Sequence, residues 1–281
     1  MNQLAKAHEE RVEKANGLRI FIRSWRPATA PRAVITIVHG VKSHSGYYGW
    51  AAEQLVARGF AVYALDLHGR GKSDGERFYL EKMQDYIDDV DALMKVARSR
   101  EPGLPVFLLG HSAGGVISSC YTLEHQAELA GFICESFAFQ VYAPDFALAV
   151  VKGLSHLAPH AHVLDLKTED FSRDPKAVQV MLDDPLIAHE VQPTRTVAEL
   201  VRADERLKRE FPSIKLPVLI MHGTADKVTK PAGSKLFYET AGSTDKTLNL
   251  YEGHAHDLLN DVDREKVMAD ITGWIEKRMP A

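Results

Sequence analysis

The sequence predicts an α/β architecture: a mostly parallel central sheet wrapped by helices, interrupted once by a helical cap insertion. Three observations carry this reading. Short β-rich runs alternate with longer segments of helical period through the first half of the chain and again near its end, as strand–helix–strand units do. The run Pro105 to Leu109 is apolar throughout, which a strand covered by helices on both faces requires. Between about Phe137 and Phe211 the alternation stops, and only helical and proline-punctuated segments occur.

The elements follow in order. Leu18 to Trp25 and Ala33 to Val38 form the opening pair of strands, the second ending abruptly at His39-Gly40. Tyr47 to Arg58 reads as a helix stopped by Gly59, where a left-handed cap is expected. Phe60 to Leu67 is the next strand, followed by a Gly-rich stretch from Gly69 to Gly75. Met83, Ile87, Val90, Met94 and Ala97 then mark one apolar helix face. After the Pro105 strand come a helix from Ala113 to about Gln126 and a strand from Gly131 to Cys134. In the insertion, Pro144 to Leu157 is apolar on nearly every side, with Asp145 and Lys152 its only charges. Alternation resumes at Pro217 to Met221, then a helix near Gly233 to Thr240, a strand Thr247 to Tyr251 and a last helix. That helix has Val267, Ile271, Trp274 and Ile275 on its inner face. The division is therefore a core in two parts, 1–136 and 212–281, around a cap of roughly 70 residues, 137–211.

Composition narrows the function classes. The 281 residues are 45% hydrophobic and 26% charged with a net charge of −4, and no basic stripe stands out; nucleic acid is not an expected partner. Cys120 and Cys134 are the two cysteines, each inside an apolar run, which excludes a disulfide framework and fits a reducing compartment. Met1 to Lys14 is rich in charge and lacks the apolar stretch of a secretory signal. No run of about 18 uncharged apolar residues occurs. A soluble cytoplasmic protein is expected, with its oligomeric state left open.

The chemistry centres on Gly110-His111-Ser112-Ala113-Gly114, a G-x-S-x-G sequence lying directly between a buried strand and a helix. In that position it describes a nucleophile elbow, with Ser112 on a strained turn above the sheet and glycines where a side chain would strike neighbouring backbone. A serine hydroxyl needs a base and an orienting acid, which in this topology come later, at strand ends, acid before histidine. Asp226 follows the strand ending at Met221, and His254 and His256 both follow the strand ending at Tyr251. Glu135, at the end of the strand before the cap, competes with Asp226 for the acid position.

These segments resemble the monoacylglycerol lipase and lysophospholipase group of α/β-hydrolases, which shares a domain with serine aminopeptidases, from about Gly17 to Trp274. His39-Gly40 with His44-Ser45-Gly46 and Tyr48 is similar to its HG…HSG-x-Y segment, and Asp66 to Gly75 to its D-x-x-G-x-G-x-S-x-G loop. Gly110 to Gly115 is similar to its GHSMGG elbow. Ser172-Arg173-Asp174-Pro175 and Asp184-Pro185-Leu186 resemble the cap signature SRDP…DPL, its most specific feature. His256-Asp257-Leu258-Leu259-Asn260-Asp261 is similar to H-E-L-x-N-E, which selects His256 over His254. The resemblance implies the α/β-hydrolase fold, Ser112 as nucleophile, His256 as general base and acid, and Asp226 as orienting carboxylate. It also implies an oxyanion hole from the backbone N–H groups of Val41 and Ala113, and no cofactor.

Two departures from the family pattern bear on the substrate. Glu135 stands where a small neutral stretch is usual, either as a structural carboxylate or as a contact for a substrate ammonium or hydroxyl. Ala255 replaces a common aromatic residue and widens the pocket beside His256. His44 is a further candidate substrate contact. Phe146, Val150 and Leu154 are expected on an acyl-channel wall, with weak membrane-surface association wherever that helix is exposed.

Other chemistries fail on spacing. Gly71-Lys72-Ser73 lacks the first glycine of a phosphate loop, since that position is Asp66, and Gly69-Arg70-Gly71 lacks the third glycine of a dinucleotide fingerprint. His160/His162 and His254/His256 have no partner at metal-ligand spacing, so no metal is expected. The expected function is hydrolysis of a small-molecule ester with an apolar acyl group, monoacylglycerols foremost. Lysophospholipase, small-ester carboxylesterase, serine aminopeptidase and an inactive binding protein of the same fold are the alternatives.

Overall fold

The computed structural model describes residues 6–279; Met1 to Ala5, part of the charged N-terminal stretch, lie outside the described residues. Eight strands form one sheet in the order β1-β2-β4-β3-β5-β6-β9-β10. They are β1 (His8–Glu13), β2 (Arg19–Trp25), β3 (Ala33–Val38), β4 (Phe60–Asp66), β5 (Val106–His111), β6 (Gly131–Glu135), β9 (Val218–Gly223) and β10 (Lys246–Tyr251). The pairs β1/β2 and β2/β4 are antiparallel and all others parallel. The helices joining the parallel strands therefore leave the strands' C-terminal ends pointing the same way. This is the α/β-hydrolase fold.

Alternation along the strands builds two cores. Leu108, Phe132, Cys134, Val218 and Ile220 face α2 (Met83–Arg100), α3 (Ala113–His125) and α7 (Pro231–Thr240). Phe107, Leu109, Ile133, Leu219 and Met221 face α1 (Gly49–Ala57) and α8 (Arg264–Glu276). Val267, Ile271, Trp274 and Ile275 of α8 are all buried, as their spacing predicts. Gly59 adopts φ +80° after α1, so the left-handed stop is real. The expected start of that helix is instead a 3-10 turn, Ser45–Tyr48.

Two elements were not legible. Strand β1 carries five charged or polar residues and Val12 alone as an apolar one, so no hydrophobic alternation announces it. It is an edge strand held by backbone pairing and by ion pairs from Glu9 to Arg23 and from Glu10 to Arg100. Between β6 and β9 the chain is helical as expected, with α4 (Asp145–Leu154), α5 (Pro175–Leu182) and α6 (Thr194–Glu210). It also holds a small antiparallel ribbon of β7 (His162–Leu164) and β8 (Gln192–Pro193), too short to leave a period in the sequence. The segment is not a detached lid, because Ala203 and Leu207 of α6 and the following Phe211 join the main core.

Cys120 and Cys134 are free and fully buried. Burial pushes the Cys120 thiol up to about 12 and raises Cys134 as well. A thiol-reactive disulfide reagent at mildly alkaline pH is expected to modify neither cysteine in the native protein and both after denaturation. Rapid native labelling of either would contradict this packing.

Candidate active site

Ser112 sits between the end of β5 and the first turn of α3 with φ 56° and ψ −121°, a conformation that costs a residue with a Cβ on the order of 1–3 kcal/mol. Its surroundings hold it there. The Ser112 N–H donates to the Glu135 carbonyl at 2.9 Å, and its carbonyl accepts from the Gly115 N–H at 2.9 Å. The turn fits only because side chains are missing around it. A Cβ on Gly114 would lie 2.2 Å from the Val38 carbonyl oxygen, and one on Gly110 2.5 Å from that of Gly114. A Cβ on Gly40 would lie 2.7 Å from the Cβ of Ser112 and 3.2 Å from its Oγ. The His39–Val41 turn thus lies directly against the serine. Ala113 opens α3, so its N–H belongs to the unpaired, electropositive end of that helix.

His39 fixes that turn. Its Nδ1 donates to the Gly40 carbonyl at 2.7 Å and its Nε2 accepts from the Leu67 N–H at 3.0 Å. Burial lowers its pKa to about 4, so it stays neutral and keeps this donor–acceptor pattern.

Asp226 and His256, both buried, meet beyond the ends of β9 and β10. His256 Nδ1 donates to Asp226 Oδ2 at 2.7 Å, which leaves Nε2 as the ring's acceptor; that atom is buried and without a hydrogen-bond partner. Asp226 Oδ1 accepts from the N–H groups of Val228 and Thr229 at 2.7 and 2.9 Å, and the Thr229 hydroxyl donates to Oδ2 at 2.8 Å. His222 Nε2 lies 3.0 Å from the same Oδ2, with its Nδ1 2.7 Å from Ser234 Oγ. Burial alone would raise the Asp226 carboxyl, but the charges and hydrogen bonds of His256 and His222 hold it well below the ordinary carboxylate range. The His256 ring lies 5.0 Å from that of His111, the residue before the elbow serine, and Phe171 meets it edge-on at 5.1 Å. His222 and Phe171 were missed as site residues. The one signal for His222 is its place on the strand end four residues before Asp226.

The cap residues that resemble a family signature are ties. Arg173 Nε donates to Asp261 Oδ2 at 2.8 Å, Ser172 Oγ donates to the Asn260 carbonyl at 2.8 Å, and Asp261 Oδ2 also accepts from the Ala255 N–H at 2.9 Å. The cap therefore grips the loop that carries His256. Asp184 accepts from both His44 Nε2 and Tyr47 Oη at 2.8 Å. Arg70 is bound to Glu190, whose other oxygen accepts from the Lys42 N–H at 3.0 Å next to Val41.

Three expectations are corrected here. His44 uses both ring nitrogens, one for Asp184 and one accepting from the Gly46 N–H, so it braces the cap rather than facing substrate. Glu135 is 0% exposed, with Oε1 accepting from the Leu259 N–H at 3.2 Å, and among the described residues no hydrogen bond joins it to His256. Phe146 and Val150 are 74% and 63% exposed, and Leu154 is also exposed. They form an outward apolar row rather than the wall of an enclosed channel.

Residues 29–263 match the family described as serine aminopeptidase, S33. The chain belongs to this family. The monoacylglycerol lipase of Mycolicibacterium smegmatis is 32% identical over 261 residues, covering 92% of this chain and 93% of that one. The human monoglyceride lipase is 32% identical over 269 residues, covering 94% and 89%. The crystal structure of the Paleococcus ferrophilus monoacylglycerol lipase is 31% identical, with a TM-score of 0.82 over 92% of this chain and 99% of that one.

Gly114→Ala of this serine aminopeptidase S33 family member is expected to lose about 3 kcal/mol of stability in urea unfolding, because backbone oxygen on the facing strand cannot yield to a new methyl. An unchanged midpoint would mean that the turn is looser than its contacts indicate.

Proposed function

We propose that the protein hydrolyses carboxylic esters, monoacylglycerols and similar single-chain lipid esters foremost, through an acyl-enzyme on Ser112. The observations that carry this are the His256–Asp226 pair at 2.7 Å, with His256 Nε2 left without a partner, and the strained elbow serine at the end of β5 of the same sheet. His256 Nε2 takes the Ser112 proton as Oγ attacks the ester carbonyl. The backbone N–H groups of Val41 and Ala113 receive the developing oxyanion; one such donor contributes about 2.7–4 kcal/mol to the transition state. The imidazolium then protonates the departing alcohol, and a water activated by the same nitrogen hydrolyses the acyl-enzyme. Asp226, kept ionised by its donors, orients the ring and stabilises its cationic form.

The lipid part of the reading rests on the named relatives and on the cap. Phe146, Val150, Leu154 and Leu157 give the cap an exposed apolar row, suited to weak association with a lipid surface where such substrates reside. An aminopeptidase needs a carboxylate in the cleft for the substrate's free amine. Glu135, the candidate for that task, is fully buried, which favours esters.

Initial rates on 1-monoacylglycerols and p-nitrophenyl esters, with acyl chains from acetyl to stearoyl, test this. Medium or long monoacylglycerols are expected to be best, with Asp226→Asn about 10⁴-fold slower and Ser112→Ala about 10⁶-fold slower. An optimum at acetyl or butyryl esters with poor glyceride turnover would overturn the lipid assignment.

A further inference from the structure

Beneath the elbow lies a second cluster that ester hydrolysis does not use. His111, Glu135 and Asp257 each present one ligand atom, and these atoms lie within 4.8 Å of one another. All three side chains are buried. Three side-chain atoms, His111 Nε2, Glu135 Oε2 and Asp257 Oδ1, lack any hydrogen-bond partner. Orphaned polar atoms of this kind are rare in a folded protein, and three in one place need a common occupant.

The other half of each side chain is already held. His111 Nδ1 is 3.2 Å from Tyr48 Oη, Glu135 Oε1 accepts from the Leu259 N–H at 3.2 Å, and Asp257 Oδ2 accepts from Asn260 Nδ2 at 3.0 Å. In the tautomer with the proton on Nδ1, directed at Tyr48 Oη, the His111 Nε2 lone pair is free to bind a cation. This is the outer-shell arrangement that orients metal ligands. Neither carboxylate has a lysine or arginine partner among the described residues, although two carboxylates face each other in a low-dielectric interior. A cavity of about 280 Å³ lined by Tyr47, Asp257, Asn260 and Arg264 gives a path to Asp257 from outside.

We propose that His111, Glu135 and Asp257 form a buried binding site for a divalent cation. Two carboxylate oxygens and one imidazole nitrogen suit zinc or manganese(II). The cation is a brace: it joins the residue before Ser112, the residue after His256 and the end of β6, fixing the loops that carry nucleophile and base without entering the reaction. The three ligands come from the ends of β5 and β6 and from the loop after β10, so no spacing in the sequence announces them.

Elemental analysis of the full-length protein, purified without chelator, is expected to find about one equivalent of a divalent metal. After chelator treatment, added Zn²⁺ or Mn²⁺ at a hundredfold excess over its dissociation constant is expected to raise Tm by roughly 5–10 °C. Glu135→Gln is expected to weaken binding by more than 100-fold. Tyr48→Phe, which removes only the outer-shell oxygen, is expected to weaken it by about 10-fold and serves if the ligand variant does not fold. A metal-free protein whose Tm ignores both cations, or binding that Glu135→Gln and Tyr48→Phe leave intact, would overturn the proposal and assign the cluster to a shared proton and a buried water.

Discussion

The backbone of Ser112 is the constraint on which the rest depends. A residue with a Cβ is held at φ 56° and ψ −121°, and this is sustained only because the surrounding structure over-determines it. Buried strands fix one side of the turn and the first turn of α3 the other. Glycines at 40, 110 and 114 let three backbone segments approach where a methyl group would collide with them. The same approach packs the His39–Val41 turn against Ser112. The strain at Ser112 and the crowding around it have one geometric origin.

A second consequence concerns the cap. It is tied to the catalytic strand ends at three places, through Arg173 and Asp261, through Asp184 with His44 and Tyr47, and through Arg70, Glu190 and the Lys42 N–H. Each tie ends within a few residues of a group placed at the site. These bonds join the cap to the His256 loop and to the Val41 turn. Its outward apolar row, Phe146, Val150 and Leu154, sits on α4.

Much of this was legible because it follows from period and packing. Buried strands leave apolar runs, α8 leaves its four-residue inner stripe, and the elbow needs small residues that a sequence displays. Asp226 and His256 meet beyond the adjacent strands β9 and β10, and Ser112 stands at the end of β5 in the same sheet. What escaped has physical reasons. Strand β1 is stabilised by pairing and surface charge, which carry no hydrophobic period. Helix α4 is apolar nearly all round, so the sequence does not say which face is covered. Glu135 is at a strand end, yet its carboxylate is fully buried and accepts from the Leu259 N–H, which the sequence does not reveal. His222 reads as one more strand-end histidine, and only the fold brings it to the carboxylate of Asp226.

The central claim is that Ser112 is a nucleophile activated by His256. Labelling the folded protein with a fluorophosphonate and locating the adduct by mass spectrometry tests it most directly. The account predicts a single adduct on the peptide containing Ser112, formed quickly by the native protein and abolished in His256→Ala. An unlabelled native protein, an adduct on another serine, or equal labelling of His256→Ala would contradict it.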